Sequence, residues 1–321
     1  MATTTSQVGP YDQVYYDTTL IDSALEMLVH TIPLQKRSLP RRNGKVVNFR
    51  EFQVFSEKTT ALTEGVTPTP DSYTVREVTA TIAQYGARVG ITDMIDATKP
   101  DDHLTQITEN QGYQAGLTVD TLIANQVVLA ASNDYYGTAA GTVGTTVGNT
   151  AAVIDATMLD KMHRVMRNNN APYYTEIIGA GPGQGTMPVA PCYLAIVHPS
   201  VGYTLRRIEG FLPIEQYGGS TGRMTGEIGS YKNFRFLEST NALVRASAGS
   251  GSADVYVTAF FSPNAAATVE LNGMSLRSYH QPFGSGDDTL EQRAYQGWKM
   301  SFVSKILNDA FLATLGNTIE S

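Results

Sequence analysis

The side chains best suited to metal binding or nucleophilic chemistry in this sequence are five histidines and one cysteine. Their spacing supports neither role. His30, His103, His163, His198 and His280 stand at no metal-ligand spacing with one another or with Cys192. Cys192 and His198 lie six residues apart in the apolar run CYLAIVHP, which reads as a buried strand over 192–199. Period two turns both to one face but leaves them far apart, so a Cys–His dyad requires the strand to bend. A hydrolase using Cys192 or a serine with His198 also lacks a G-x-S-x-G elbow. The run GAGPGQG at 179–185 has Gln184 where a dinucleotide fingerprint needs glycine, is interrupted by Pro182, and is followed by no GK[ST]. GTVGTTVG at 141–148 contains no lysine and reads as a loop. Asp287 and Asp288 sit in the turn GSGDD, and Ca²⁺ requires more oxygen ligands than these two supply. No catalytic residue, cofactor or metal is assigned, and the chain is not read as an enzyme.

Charge points the same way. Of 321 residues only 17% are charged, and the formal net charge is -7. So few charges, with an acidic balance, oppose wholesale nucleic-acid binding, because phosphates are repelled. They suit a surface covered by neighbours. One local exception is the cationic run Lys36, Arg37, Arg41, Arg42, Lys45 and Arg50. It lacks interleaved aromatics for base stacking, and reads better as ion pairs within or between copies than as a DNA patch. With a single cysteine no internal disulfide can form, which fits a reducing compartment. The N-terminus has no signal-peptide pattern, and no apolar run approaches the ~20 residues needed to span a bilayer.

The elements that would position such groups are unusual in order. Leu20, Ile21, Ala24, Leu25 and Leu28 have helical spacing, capped by Asp17 or Thr18 and ended by Pro33. Residues 46–55 read as a strand, Val47 and Phe49 then Phe52 and Val54 alternating with polar residues, with one slip of register. Residues 56–72 carry the turn chemistry of Gly65, Pro68, Pro70 and Asp71. Val78, Ala80 and Ile82 alternate, as do Tyr85, Ala87, Val89 and Ile91, but the two sets are offset by one. The expectation is one long antiparallel hairpin with a bulge near Ala83–Gln84 and a bend at Gly86. Such an arm cannot bury its own apolar residues, and in a protein without other partners it lies on another copy of itself.

Asp101 or Asp102 then caps a helix of about 30 residues ending near Ser132–Asn133, on the order of 45 Å long. Its polar middle, Gln111, Gly112, Gln114 and Gly116, needs packing on one side. A Gly/Thr/Ala-rich linker follows at 134–152, then a helix at 155–168. Strands follow at 192–199, within 227–239 and at 255–261. A short helix is expected to start around Pro263–Ala267. The stretch from Trp298 begins as a strand, while Val303, Ile306, Leu307 and Ala310 also suit a helix.

Five separated motifs carry a family resemblance. They are LTEGV (62–66), QYGARVGITD (84–93), AIVHPSVGYTLR (195–206), GEIGSYKNFRFLEST (226–240) and LEQRAYQGWK (290–299). In this order the sequence resembles the phage-N4-type major capsid proteins of tailed phages. The resemblance implies an α+β chain with the Hong Kong 97-type capsid fold. Residues 1–44 would be an N-terminal arm, 45–92 the extended β-hairpin loop, and 93–150 a peripheral domain with its spine helix. Residues 151–255 would be the axial domain and 256–321 a return to the peripheral domain.

The function implied is self-assembly, through hexamers and pentamers, into an icosahedral virion shell. That shell would enclose double-stranded DNA without sequence-specific binding or membrane contact, after assembly in the host bacterial cytoplasm. Arg41, Arg42 and Lys45 would pair with acids of an adjacent copy, and Leu62, Glu64, Gly65 and Val66 would be assembly contacts. Flexion at Gly86 would accommodate shell expansion. With only about 44 residues before the extended loop, a separate scaffolding protein, or none, is expected. A portal is a further implied partner, and a decoration protein a candidate one. The alternative on the same fold is an encapsulin-like, cargo-enclosing shell.

Overall fold

The computed structural model describes residues 28–98, 103–138, 143–177, 187–216, 224–285 and 289–319. In chain order it has β1 (Gln35–Leu39), β2 (Val46–Phe52), β3 (Val75–Thr81), β4 (Ala83–Thr92), the short α1 (Asp93–Thr98) and the long α2 (His103–Ile123). After α2 come β5 (Asp134–Gly137), β6 (Val143–Gly144), α3 (Ala156–Asn168), β7 (Tyr174–Ile177), β8 (Met187–Val197), α4 (Pro199–Leu205) and β9 (Phe211–Pro213). The remainder is almost all strand: β10 (Glu227–Tyr231), β11 (Phe234–Glu238), β12 (Val244–Arg245), β13 (Val255–Phe261), β14 (Ala266–Leu271), β15 (Leu276–Gln281), β16 (Arg293–Ile306) and β17 (Leu312–Asn317). The expected helix at 20–28 lies outside the described residues except for Leu28. So do the GAGPGQG run, Asp287–Asp288 and the candidate caps Asp101 and Asp102.

Among the described residues the strands form three sheets. A ten-stranded sheet follows the order β6-β5-β17-β13-β8-β11-β10-β9, with β12 on β13 and β7 on β8. A five-stranded sheet runs β1-β14-β16-β15, and β4 also pairs with β16. The third is the isolated two-stranded ribbon β2-β3.

Two cores form among the described residues: one packs on the larger sheet alone, and the other joins the smaller sheet and the long helix to larger-sheet residues such as Ile196, Val257 and Phe261. Met158, Leu159, Met162 and Met166 put one apolar face of α3 against Tyr193, Phe234, Phe236 and Phe260 of the larger sheet. Their spacing is helical, and the carboxylate of Asp155 starts the helix by accepting from Ala156 N at 2.6 Å. On the smaller sheet, Trp298, Met300 and Phe302 of β16 pack with Ala115, Ile123 and Val127 of the long helix. That helix ends in a π-helical turn, Ala124–Val128. Just within it, Gln126 Oε1 accepts from both Ser304 N (2.9 Å) and Ser304 Oγ (2.7 Å), which fixes the helix end onto β16.

Several expectations change. The hairpin does not continue through residue 92. Strand β3 pairs with β2 from Val75 to Thr81, and Ile82 N still donates to Lys45 O at 2.8 Å. Beyond that, β4 pairs only with β16, over ten residues. The offset in alternation at 82–84 is therefore the point where the chain leaves the ribbon and enters a sheet, not a bulge. Gly86 is a ladder residue, not a hinge. The helix expected near Pro263–Ala267 is a turn at Pro263–Asn264 followed by β14; Asn264 has φ +66°, which halts any helix. The ambiguous end of β16 is strand through Ile306. The helix expected to reach Ser132–Asn133 stops at Val128. Unforeseen were α1, started by Asp93 Oδ1 accepting from Met94 N, and α4, with Pro199 in its first turn.

Candidate functional site

Strands β2 and β3 form a ribbon one layer thick. Its ladder runs from Val46↔Thr81 to Phe52↔Val75 and is extended by Gln53 N donating to Thr74 O at 3.1 Å. Opposite charges face each other across it, Arg50↔Glu77 and Glu51↔Arg76. Farther out, Lys58 Nζ meets Asp71 Oδ1 at 2.7 Å. Residues 53–74 form a tip without helix or strand, turning at Gly65 (φ +77°), where Val66 N donates to Thr63 O.

The ribbon leaves its apolar side chains in solvent. Val54 is 95% exposed, Leu62 76%, Phe52 69% and Tyr73 65%, with Val66 and Phe55 close behind. A lone two-stranded ribbon is marginal in water, and an apolar row of this extent marks a contact surface. Burying six such side chains stabilises a contact by roughly 10 kcal/mol at 1.5–3 kcal/mol each. Leu62, Glu64, Gly65 and Val66 thus lie together and exposed on the tip. Phe52, Val54, Phe55 and Tyr73 flank them and are the residues sequence reasoning left out. The alternation of Phe52 and Val54 was the signal, and nothing local says that both faces of the ribbon stay uncovered.

The cationic run does not form one patch. Lys36 and Arg37 are on β1 in the five-stranded sheet, whereas Arg50 is on the ribbon. Arg41 is engaged within the chain: its Nε donates to Asn272 O at 2.9 Å and its Nη2 to Gly273 O at 3.1 Å. It clasps the turn between β14 and β15 and so fixes the base of the ribbon. Arg42, at φ +69°, and Lys45 are exposed beside it.

A second surface was not foreseen. Strands β4, β15 and β16 contain no acidic residue. Alternation and register bring Arg88, Lys299 and Arg277 onto one exposed face. Arg88 lies over the Tyr295 ring, 5.1 Å from its centroid, and Gly86, Gly90 and Gly297 keep the strip between them low.

Cys192 and His198 do not come together. The thiol of Cys192 is buried, and burial pushes its pKa up to about 11, which leaves little thiolate for attack. His198 lies six residues on, roughly 20 Å away in an extended chain. Its ring accepts from Ser200 N at 3.2 Å and packs on Tyr256. Burial lowers the His198 pKa. Among the described residues no group of three His, Cys, Asp or Glu could hold a metal, and no helix is long and apolar enough to cross a membrane.

Comparison with known proteins gives a consistent picture. The sequence profile of the family described as "Phage capsid protein" matches residues 75–314. No curated protein matches the sequence. Among solved structures, the capsid of Ralstonia phage GP4 superposes with a TM-score of 0.72 at 13% identity, covering 100% of this chain and 99% of that one. The capsid of cyanophage P-SCSP1u gives 0.65 at 16% identity over 97% and 94%. The mature capsid of bacteriophage PhiM1 gives 0.64 at 14% over 100% and 96%. At these identities the likeness is one of fold.

Proposed function

The chain belongs to the phage capsid protein family, with the Hong Kong 97-type fold, and on that premise we propose that it is the major shell subunit of a tailed phage of the N4-type group. Copies arranged as hexamers and pentamers close into an icosahedral container for double-stranded DNA, assembled in the host cytoplasm. The observation that carries this reading is the uncovered ribbon β2-β3 with its tip. Its exposed apolar side chains find cover on a neighbouring copy, and closed symmetry repeats that contact around the shell.

Charge supports the same arrangement. Glu57 and Glu64 of the tip are exposed, and the acid-free face bearing Arg88, Arg277 and Lys299 is a complementary seat on the next copy. Arg42 and Lys45 are free to meet acids of an adjacent subunit, whereas Arg41 serves the ribbon's own base. The division into arm (1–44), extended loop (45–92), peripheral (93–150 and 256–321) and axial (151–255) parts belongs to this proposal. Within it, β4 is the seat of the loop in the peripheral sheet. A separate scaffolding protein, a portal and a decoration protein are the partners proposed. An encapsulin-like cargo shell shares the fold, but the matching profile is that of phage capsid proteins.

Light scattering and negative-stain microscopy on the purified chain, combined with hydrogen exchange, test the reading. Capsomers or shells with the ribbon protected are expected. A discrete monomer whose residues 53–74 are already protected from exchange would overturn it.

A further inference from the structure

Asparagine followed by glycine loses its side-chain amide in water more readily than other asparagines, because glycine has no Cβ to keep its backbone nitrogen from the asparagine Cγ. The chain contains two such dipeptides, Asn43–Gly44 and Asn272–Gly273. Both asparagines are exposed. Neither Gly44 N nor Gly273 N donates to a backbone oxygen among the described residues. Both dipeptides lie beside Arg41, and they are restrained in opposite ways.

Asn272 is held. Its N donates to Leu39 O, and Met274 N donates to Leu271 O, each at 2.8 Å. Arg41 donates to the carbonyl oxygens of both Asn272 and Gly273. Its guanidinium fills the space beside Gly273 where a side chain would stand. Loss of the amide requires Asn Cγ to swing within bonding distance of the next nitrogen, which turns the intervening carbonyl. At Asn272 that rotation must break the bond to Arg41.

Asn43 has no such clasp. The loop from β1 to β2 is anchored by Arg41 on one side and on the other by Lys45, whose carbonyl oxygen accepts from Ile82 N at 2.8 Å. Between these anchors Arg42 and Gly44 take left-handed φ of +69° and +79°. A Cβ at Gly44 would meet nothing within 4 Å. Arg41, Arg42 and Lys45 flank the dipeptide with no acid between them. Nearby positive charge favours loss of the Gly44 N–H proton, because the amidate left behind is negative.

We propose that Asn43 is a self-modification site, at which the chain converts its own amide to a carboxylate, and that Arg41 guards Asn272 from the same reaction. A solvent base removes the Gly44 N–H proton, and the nitrogen attacks Asn43 Cγ to form a C–N bond. The Cγ–Nδ2 bond breaks, and the side-chain nitrogen takes a proton from water and leaves as ammonia. Water then opens the cyclic imide at either carbonyl, giving aspartate or isoaspartate. Nothing is oxidised or reduced. The product sets a negative charge in the cationic loop at the base of the ribbon. The chemistry is independent of assembly; only its effect on contacts made by Arg42 and Lys45 rests on the shell reading.

Peptide mapping of the full chain, kept unassembled in mildly alkaline heavy-oxygen water, provides the test. Position 43 is expected to take up label about ten times faster than position 272. Equal rates, or a slower reaction at 43, would overturn the assignment of Asn43. Arg41→Ala is expected to raise the rate at 272 about fivefold, and Arg41→Lys to restore part of the protection. An unchanged or lower rate at 272 in Arg41→Ala would overturn the guarding role. In concentrated urea the two rates of the parent should converge. A difference that survived unfolding would belong to the flanking residues, and would overturn the proposal as well.

Discussion

Gly86 of β4 lies so close to Trp298 of β16 that a Cβ at position 86 would stand 2.6 Å from the Trp298 carbonyl oxygen. The obstacle is backbone and cannot rotate aside, so any side chain at 86 must push the two strands apart. Gly86→Ala is expected to destabilise the subunit by about 1–3 kcal/mol, as overpacking typically does. Urea unfolding read at Trp298, the sole tryptophan, checks this. An unchanged midpoint would mean that the β4–β16 ladder has slack.

Asp120 couples three segments: it accepts from His30 N, lies 2.7 Å from His30 Nδ1, and accepts from Asn241 Nδ2 at 2.8 Å. Burial pushes its carboxyl pKa up, but the hydrogen bonds and charge of His30, with Asn241, outweigh this and bring it below the ordinary 3.8. A lowered folded-state value means that its stabilisation is present above 3.8 and lost as pH falls through the folded pKa. Asp120→Asn is expected to cost about 1–3 kcal/mol at neutral pH, because the buried groups that hydrogen-bond it lose a charged acceptor. The gap between variant and parent melting temperatures should close below pH ~4. A gap that persisted unchanged into that range would refute the linkage.

Arg41 and its neighbours separate folding from association. Arg41→Ala removes two exposed hydrogen bonds to the 272–273 turn and should lower unfolding stability by about 1 kcal/mol. Arg42→Glu with Lys45→Glu should leave unfolding within ~0.5 kcal/mol of the parent and reduce assembly. Equal assembly by the double variant, measured by light scattering, would remove both residues from the contact.

The ribbon's apolar row gives the opposite pattern to a core. Val54→Ser with Phe55→Ser should alter subunit stability by no more than ~0.5 kcal/mol, since both side chains are already in water. Assembly yield should fall sharply. Normal particles from this variant would show that the ribbon is not the adhesive surface.

Legibility in the sequence followed the range of the forces involved. The third helix was plain because Met158, Leu159, Met162 and Met166 express its period within one short segment. Strand β13 was plain as well, a run apolar but for Thr258 and buried on both faces. Long-range pairing was not: nothing in residues 83–92 says that their partner lies at 293–302 rather than in the ribbon. Ala265–Ala267 favour helix locally, yet pairing with β1 and β16 overrides that preference. The exposed tip was legible as turn chemistry. The clasp of Arg41 on a turn more than two hundred residues away was not, because a cation's partner is set by tertiary geometry alone.

The join between ribbon and sheet has a mechanical consequence. Strand β4 is held to β16 by ten consecutive register pairs, while the ribbon beyond Ile82 has seven and, among the described residues, no second layer. Tension drawn along β4 loads its rungs in parallel, so that seat yields only as a unit. The ribbon is the compliant spring in series with it, and strain in a pressurised wall will stretch the spring before it dislodges the anchor.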